Sequence, residues 1–259
     1  MQHNFKKKFG QNFLQDNKII DKIVSSEELT YDDLVIEIGP GAGALTKKLI
    51  QKTNVLAYEI DMDLKIALED LKLSGHLEII WDDFLNRDVL NDLSDKEYKN
   101  LYIIANLPYY ITTPIINKVI EENLPLKSMI VMVQKEVGER FSALPGNKDY
   151  GSITVFLNYH FNIKKLFDVS KNCFYPKPNV ESAVIKFTPK IDKLKVNNEK
   201  LFLTLVKDSF KHKRKTLKNN LTDYDLNKIS LILEKYGFDL SVRAESLPLE
   251  IFVEIANNL

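Results

Sequence analysis

Short apolar segments alternate with amphipathic segments along the first part of the chain. Five segments rich in branched side chains are predicted to be strands: LVIEI (34–38), NVLAYEI (54–60), LEIIW (77–81), LYIIA (101–105) and SMIVMV (128–133). Helices are predicted between them at Gly43–Gln51, Met62–Lys72, Thr113–Glu122 and Gln134–Leu144. Such alternation is typical of a parallel sheet with helices on both faces, so the pattern predicts an α/β fold.

Two later segments also have the composition of strands, SITVFLNYHF (152–161) and SAVIKF (182–187). No clear long helix separates them, which predicts an antiparallel hairpin that completes a seven-stranded, mostly parallel sheet. Beyond residue 190 only helical periodicity remains. We therefore expect two domains, a large α/β domain at 1–190 and a small all-helical domain at 191–259.

Composition excludes a disordered chain, because 44% of the 259 residues are apolar and can bury a core. The formal net charge of zero hides local asymmetry. Lys6, Lys7 and Lys8 lie near the start without an acid, and the 207–218 segment holds six basic residues against Asp208 alone. Runs of this kind are usually solvated helix faces, so the charge by itself assigns no function.

Compartment is indicated by cysteine content and by the absence of long apolar runs. Cys173 is the single cysteine and cannot form an internal disulfide, which favours a reducing compartment. The basic start of the chain is not followed by the apolar core of a signal peptide, and no run approaches the length of a membrane span. We expect a soluble cytoplasmic protein that acts without a membrane.

A glycine-rich turn, EIGPGAGALT, follows the first predicted strand. Gly39 and Gly41 allow a tight turn and a close approach of a ligand to the backbone, which makes them candidate cofactor contacts. Glu59 lies at the end of the second strand, where a carboxylate can accept hydrogen bonds from ribose hydroxyls. In WDDFL, after the third strand, Asp83 rather than Asp82 is the candidate acceptor for an adenine amino group. The pattern leaves NAD and S-adenosylmethionine both open.

The fourth predicted strand ends in ANLPYYITTP, which places Asn106 at the ligand-binding edge of a doubly wound sheet. Pro108 stiffens the turn, so the Asn106 amide oxygen and the Leu107 carbonyl can accept two hydrogens from one amino group. That arrangement suits methyl transfer to an exocyclic amine and needs no strong general base. Tyr109 offers a face on which a base can stack, and Phe174 is the candidate second wall.

Six blocks in order carry a family resemblance: KKKFGQNFL, EIGPGAGALT, NLPYYITTP, VQKEVGERFSALPGNKDYGSITV, FYPKPNVESAVIKF and SFKHKRKTLKNNL. They cover nearly the whole chain. The sequence resembles the class I S-adenosylmethionine-dependent adenine-N6 methyltransferases, and more closely the ribosomal RNA adenine dimethyltransferases of the KsgA/RsmA type. The resemblance implies a Rossmann-like fold, S-adenosylmethionine as cofactor, S-adenosylhomocysteine as product, and no metal.

The same resemblance implies roles for individual residues. Asn12, Leu14, Gly39, Glu59, Asp83 and Asn106 would surround the cofactor, with Glu59 on the ribose and Asp83 on the adenine amino group. Asn106 and the Leu107 carbonyl would hold the target N6, while Tyr109 and Phe174 sandwich the adenine. Tyr110 stands where some relatives have asparagine, from which no change of mechanism follows.

The resemblance also bears on the substrate. Relatives that confer macrolide resistance act on large-subunit RNA and typically have isoleucine where this chain has Leu107. Leucine and the basic block favour two adjacent adenosines in the loop of the 3′-terminal hairpin of small-subunit ribosomal RNA, on an immature subunit. The resemblance implies that residues 1–190 bind S-adenosylmethionine and carry out catalysis, and that residues 191–259 bind RNA. The chain is expected to act as a monomer. The residues expected to contact RNA phosphates are Lys6, Lys7, Lys8, Lys211, Lys213, Arg214, Lys215 and Lys218. Spacing predicts that four of them, Lys211, Arg214, Lys215 and Lys218, share one helix face.

Two other classes of function remain as alternatives to small-subunit and large-subunit methylation. A non-catalytic assembly factor, or a relative of the mitochondrial transcription factors of this family, would not need an intact 106–109 tetrapeptide and Glu59. NAD-dependent reduction would need a proton donor such as a histidine or a Tyr-x-x-x-Lys pair near the end of the fourth strand, and the sequence has neither there.

Overall fold

A computed structural model describes residues 12–259 of the chain. The described residues form nine strands: β1 Phe13–Leu14, β2 Leu34–Ile38, β3 Asn54–Tyr58, β4 Leu77–Ile80, β5 Leu101–Asn106, β6 Leu126–Gln134, β7 Phe161–Val169, β8 Phe174–Tyr175 and β9 Ser182–Pro189. They also form eleven α-helices: α1 Asn17–Val24, α2 Thr46–Leu49, α3 Lys65–Lys72, α4 Val89–Asp92, α5 Thr112–Glu121, α6 Lys135–Phe141, α7 Ser152–His160, α8 Glu199–Ser209, α9 Leu217–Asn220, α10 Leu226–Lys235 and α11 Leu249–Asn258.

Seven of the strands form one sheet in the order β4-β3-β2-β5-β6-β9-β7. Neighbours from β4 to β6 are parallel, and β6 pairs with β9 antiparallel. The predicted seven-stranded, mostly parallel sheet is therefore confirmed. Strand order reverses between β2 and β5, and ligands bind at the carboxyl ends of the strands beside such a switch point.

The central strand β2 is apolar because both faces of the sheet are covered. Every residue of LVIEI is buried, including Glu37. The core of this part of the chain contains Val35, Val55, Tyr102 and Ile130 from four adjacent strands. A parallel sheet covered on both sides requires such continuous apolar strands.

The predicted strand at 152–161 is wrong, because Ser152–His160 form the helix α7. The backbone N–H of Gly151 donates to Thr154 Oγ1 at 3.1 Å, and that hydroxyl donates to the Arg140 carbonyl at 2.8 Å. Packing at helical spacing thus overrides the strand preference of the branched and aromatic side chains. The seventh strand is instead β7, whose lysines and aspartate obscured its pattern in the sequence.

The chain divides into two compact units. The first runs through Gly138 and includes Lys164–Pro189, and the second combines Glu139–Ile163 with Lys190–Leu259. The core of the second unit is built by α7, α8, α10 and α11 around Phe202, Ile229 and Phe252. The assignment of 1–190 to catalysis and 191–259 to RNA binding stays a prediction.

The expected helix through the basic block is wrong. Helix α8 ends at Ser209, and the chain from Lys211 to Lys215 forms turns before α9. The Asn220 side chain stabilises this break, since its Nδ2 donates to the Ser209 carbonyl at 2.8 Å and its Oδ1 accepts from the His212 N–H at 3.2 Å. The basic side chains therefore do not share one helix face.

Candidate active site

A cavity of about 320 Å³ lies at the carboxyl ends of β2, β3 and β5, beside the switch point of the sheet. Nine of the residues predicted from the sequence line it: Asn12, Gly39, Gly41, Glu59, Asp83, Asn106, Leu107, Pro108 and Tyr109. The fold thus brings together segments that are far apart in the chain.

The Glu59 carboxylate is held by hydrogen bonds from two backbone N–H groups, one of which belongs to the glycine turn. Gly41 donates to Oε2 at 3.1 Å and Asp61 donates to Oε1 at 2.8 Å. The residue is only 5% exposed, and this burial raises the pKa of its carboxyl group, although the backbone donors oppose the change. A carboxylate has about four acceptor positions, so capacity beyond these backbone bonds remains for ribose hydroxyls.

The glycine turn requires glycine because of both its backbone conformation and its neighbour. Gly39 and Gly41 have φ values of +69° and +60°, in the left-handed region. A Cβ on Gly41 would lie 2.6 Å from Cε1 of Phe13. The Phe13 ring therefore packs directly against the turn, and it also lines the cavity, a contact that the sequence did not predict.

The short strand β1 carries Phe13 to this place. It pairs antiparallel with β8, with Phe13 opposite Tyr175 and Leu14 opposite Phe174. The Gln15 N–H donates to the Cys173 carbonyl at 2.8 Å and extends the pairing. A strand formed by residues near the start of the described chain is thus fixed over the glycine turn.

The Asn106 side chain is oriented by a backbone carbonyl of the residue that precedes β1. Its Nδ2 donates to the Asn12 carbonyl at 3.1 Å. This bond assigns the amide nitrogen and leaves Oδ1 as the acceptor available to a ligand. Asn106 is the last residue of β5 and pairs with Met132 of β6, so the backbone that carries the amide is rigid.

The Tyr109 side chain is fixed through its hydroxyl group. The side chain is half-buried, and its hydroxyl lies 2.7 Å from Oγ of Ser182, the first residue of β9. Burial raises the pKa of the Tyr109 hydroxyl, so the side chain stays neutral at physiological pH. Leu107 is 2% exposed and anchors the turn between Asn106 and Tyr109.

Asp82 and Asp83 both line the cavity but differ in their partners. One Asp82 oxygen accepts from the Asp83 N–H at 2.8 Å and the other lies 3.6 Å from Arg87 Nη1. One Asp83 oxygen accepts from the Leu85 N–H at 2.9 Å. Both Asp82 oxygens are thus near donors, which favours Asp83 as the acceptor for a ligand.

Two predicted site residues lie outside the cavity wall. Leu14 and Phe174 are 4% and 5% exposed and belong to the hydrophobic core. Alternation along β8 directs Phe174 inward and leaves Tyr175 exposed, so the expected second wall opposite Tyr109 is not formed by Phe174 in this structure. A role for either residue in binding stays a prediction.

The sequence also missed several residues that line the cavity, namely Ile38, Tyr58, Ile60, Phe84, Leu85, Tyr110, Ile111 and Ile115. Most are apolar neighbours of predicted residues, and the only signal for them was adjacency. Phe84 packs edge-on against Tyr58 with ring centroids 5.1 Å apart.

The predicted RNA contacts of the basic block, Lys211, Lys213, Arg214, Lys215 and Lys218, are exposed. Lys213 Nζ donates to the Lys148 carbonyl within the same unit. Lys6, Lys7 and Lys8 lie outside the described residues. Within 12–259 there is no helix long and apolar enough to span a membrane, and no group of three or more potential metal ligands.

Known proteins that are similar to this chain are named as ribosomal RNA methyltransferases or as a dimethyladenosine transferase. A protein from Oceanobacillus iheyensis named ribosomal RNA small subunit methyltransferase A is 41% identical over 98% of this chain and 90% of its own. One of the same name from Mycoplasma mobile is 42% identical over 97% of both chains. The crystal structure of a dimethyladenosine transferase from Plasmodium falciparum covers 94% of this chain and 95% of its own, at 25% identity and a TM-score of 0.78.

The fold is also that of the 23S rRNA methyltransferase ErmE, with a TM-score of 0.76 at 24% identity over 96% of this chain and 99% of that one. At that identity the likeness concerns the fold alone. The sequence model of ribosomal RNA adenine dimethylases matches residues 2–259. The chain therefore belongs to the ribosomal RNA adenine dimethylase family.

Proposed function

We propose that this protein transfers methyl groups from S-adenosylmethionine to N6 of two adjacent adenosines in the 3′-terminal hairpin loop of small-subunit ribosomal RNA, dimethylating each. The observation that carries the proposal is the orientation of Asn106, whose amide nitrogen is engaged by the Asn12 carbonyl. Its oxygen is thereby left as an acceptor at the end of β5, where an amino group can be held.

The residues around the cavity fit S-adenosylmethionine. Buried Glu59 is pre-oriented by two backbone N–H groups and suits the ribose hydroxyls, and Asp83 suits the adenine amino group. Gly39, Gly41 and Asn12 would lie along the same ligand. When bound, this cofactor supplies the methyl group on an activated sulfonium and leaves as S-adenosylhomocysteine.

The protein's own contribution is to hold and polarise the acceptor amine. The Asn106 amide oxygen and the Leu107 carbonyl would accept its two N–H groups in the first transfer, and one of them would accept the remaining N–H in the second. These bonds draw the nitrogen lone pair out of conjugation with the ring. Acceptors placed in this way can contribute about 2 to 4 kcal/mol each to the transition state. Solvent can take the proton after transfer, so no general base is required.

Tyr109 acts in this proposal through its ring rather than its hydroxyl. The hydroxyl is bound to Ser182 and its pKa is raised, so it stays protonated at neutral pH and does not serve as a general base. The ring lines the cavity and offers a stacking face worth roughly 1 to 3 kcal/mol per base.

Small-subunit RNA is the proposed acceptor because the relatives that are 41% and 42% identical are named for it. The likeness to ErmE is at lower identity. The exposed basic turn at 211–215 offers charge for RNA phosphates. We also propose that the protein acts on immature small subunits as a monomer, which light scattering can check. We propose that it does so in the cytoplasm, which cell fractionation can check.

The proposed acceptor is tested by methyl transfer in vitro. Purified protein is incubated with tritium-labelled S-adenosylmethionine and either immature small subunits or large-subunit RNA, each lacking the modification. We expect label in the small-subunit RNA alone. Label confined to large-subunit RNA would move the assignment to the other acceptor, and label in neither would contradict catalysis.

A further inference from the structure

We propose that Ser182 is a positioning residue for the methyl-transfer reaction, and that its hydroxyl holds the Tyr109 ring in the orientation that stacks on the target adenine. The inference deepens and rests on the proposed function. It assigns a role to a residue that touches neither the cavity nor the cofactor site.

The contact joins two separate parts of the sheet. Tyr109 follows β5 and Ser182 begins β9, and these strands lie on opposite sides of β6. The hydroxyl oxygens are 2.7 Å apart, which is the usual length of an O–H···O hydrogen bond. The bond therefore crosses the end of β6 to reach the turn that carries the candidate catalytic residues.

Ser182 is itself held within the sheet. It is fully buried at 0% exposure and pairs with Gln134 of β6. The residue before it, Glu181, accepts the Lys135 N–H through its carbonyl at 2.9 Å. A fixed serine at this place gives the tyrosine hydroxyl one defined partner.

Tyr109 needs such a partner because its ring is only partly packed. The side chain is half-buried and one part of it lines the cavity, so packing alone constrains the ring from one side. An untethered ring would have to be ordered when the base enters, and that cost would reduce binding and rate. The bond to Ser182 fixes the ring beforehand.

The inference is tested by a double-mutant cycle with Ser182→Ala and Tyr109→Phe. Each variant removes one end of the bond and keeps the ring. We expect each to lower kcat/KM for the RNA about tenfold, with S-adenosylmethionine affinity unchanged. The double variant should lose no more than either single variant, because both remove the same interaction.

Ser128→Ala is the matched control. Ser128 is also a buried serine in the sheet, at 2% exposure, and its hydroxyl donates to Glu27. This variant should lower the melting temperature without changing kcat/KM. Equal kinetic losses in Ser128→Ala and Ser182→Ala would overturn the positioning role, as would losses that add in the double variant.

The double-mutant cycle also distinguishes two further outcomes. If Ser182→Ala does not fold, Tyr109→Phe decides alone, and wild-type kcat/KM in it rejects the inference. If the wild-type protein methylates large-subunit RNA instead, the proposed acceptor is wrong, and the cycle is measured on that RNA with the same expected coupling.

Discussion

Asn106 combines two tasks in one side chain. Its amide nitrogen binds the Asn12 carbonyl at 3.1 Å, and its amide oxygen remains for a ligand. The residue that is proposed to hold the acceptor amine is thereby linked to the segment that covers the glycine turn. A carboxylate of the same shape would keep the acceptor but lose the donor.

We predict that Asn106→Ala lowers the single-turnover rate of methyl transfer at least about a hundredfold. Binding of S-adenosylmethionine should stay measurable by calorimetry, since Glu59 and the glycine turn are intact. Asn106→Asp is the isosteric comparison and should also be impaired, because its carboxylate would face the Asn12 carbonyl. Wild-type turnover in Asn106→Ala would contradict the proposed mechanism.

Individual site residues were predictable from the sequence where a strand end and a special residue type coincided, as for Glu59 and Asn106. For Phe174 the sequence does not show whether a residue of a short strand points inward or outward, and in this structure the side chain is buried. Phe13 and Ser182 were not found, since their roles arise from contacts with Gly41 and Tyr109 that form only after folding.

Among the elements, β1 and the glycine turn act as a pair. The strand holds the Phe13 ring against Gly41, and its neighbouring residue Asn12 lines the same cavity. Displacement of the strand would therefore change the cofactor site without touching Glu59.

We predict that Gly41→Ala weakens S-adenosylmethionine binding at least about tenfold, because the new Cβ would lie 2.6 Å from Phe13 in addition to straining a φ of +60°. The strain alone costs roughly 1 to 2 kcal/mol. Gly75→Ala is the matched control, with a φ of +77° and no atom within 4 Å of the new Cβ. It should lower the melting temperature only. Equal cofactor affinity in the two variants would show that Phe13 does not couple to the site.

The basic turn at 211–215 is proposed to contact RNA phosphates. The triple change of Lys211, Arg214 and Lys215 to alanine should weaken RNA binding, and should reduce the slope of log K against log salt concentration by about 2. A triple change of Lys195, Lys200 and Lys228, which are also exposed in the second unit, is the control. An equal effect of both triples would mean that only overall charge matters.

Elements were predictable from the sequence where periodicity and composition agreed, as in the strands from β2 to β6. They were mispredicted where the two conflicted. In 152–160 the branched and aromatic residues favour a strand, whereas burial of Thr154, Leu157 and His160 at a spacing of three requires a helix. In 211–215 the spacing favours a helix, but the Asn220 side chain stabilises a turn.

The whole molecule consists of two units with separate cores, one built on the sheet and one on helices. The sequence anticipated a change near residue 190, and the second unit also includes Glu139–Ile163. Distant segments of this kind associate through burial of apolar surface, which local patterns do not encode. The second unit also buries an ionisable side chain, His160, so its stability is expected to depend on pH.

His160 is 6% exposed, and its burial lowers the pKa of the imidazole to about 4. The unfolded chain takes up a proton near pH 6.5. Between these two pH values the unfolded state binds more protons, so stability falls as pH falls, by up to about 1.4 kcal/mol per pH unit. We predict that thermal unfolding of His160→Phe is less sensitive to acid in this range. The exposed His212→Asn is the control and should match wild type, and identical pH dependence of all three proteins would contradict the assignment.

The cavity at the ends of β2 and β5 is proposed to be the site at which two adjacent adenosines of small-subunit RNA are dimethylated. The most direct measurement is mass spectrometric mapping of methylated nucleotides after reaction of unmodified immature small subunits with the wild-type protein and with Asn106→Ala. We predict N6,N6-dimethyladenosine at two adjacent positions of the 3′-terminal hairpin loop with the wild-type protein, and at least about a hundredfold less with the variant. Methylation elsewhere, or the same products from Asn106→Ala, would contradict this proposal.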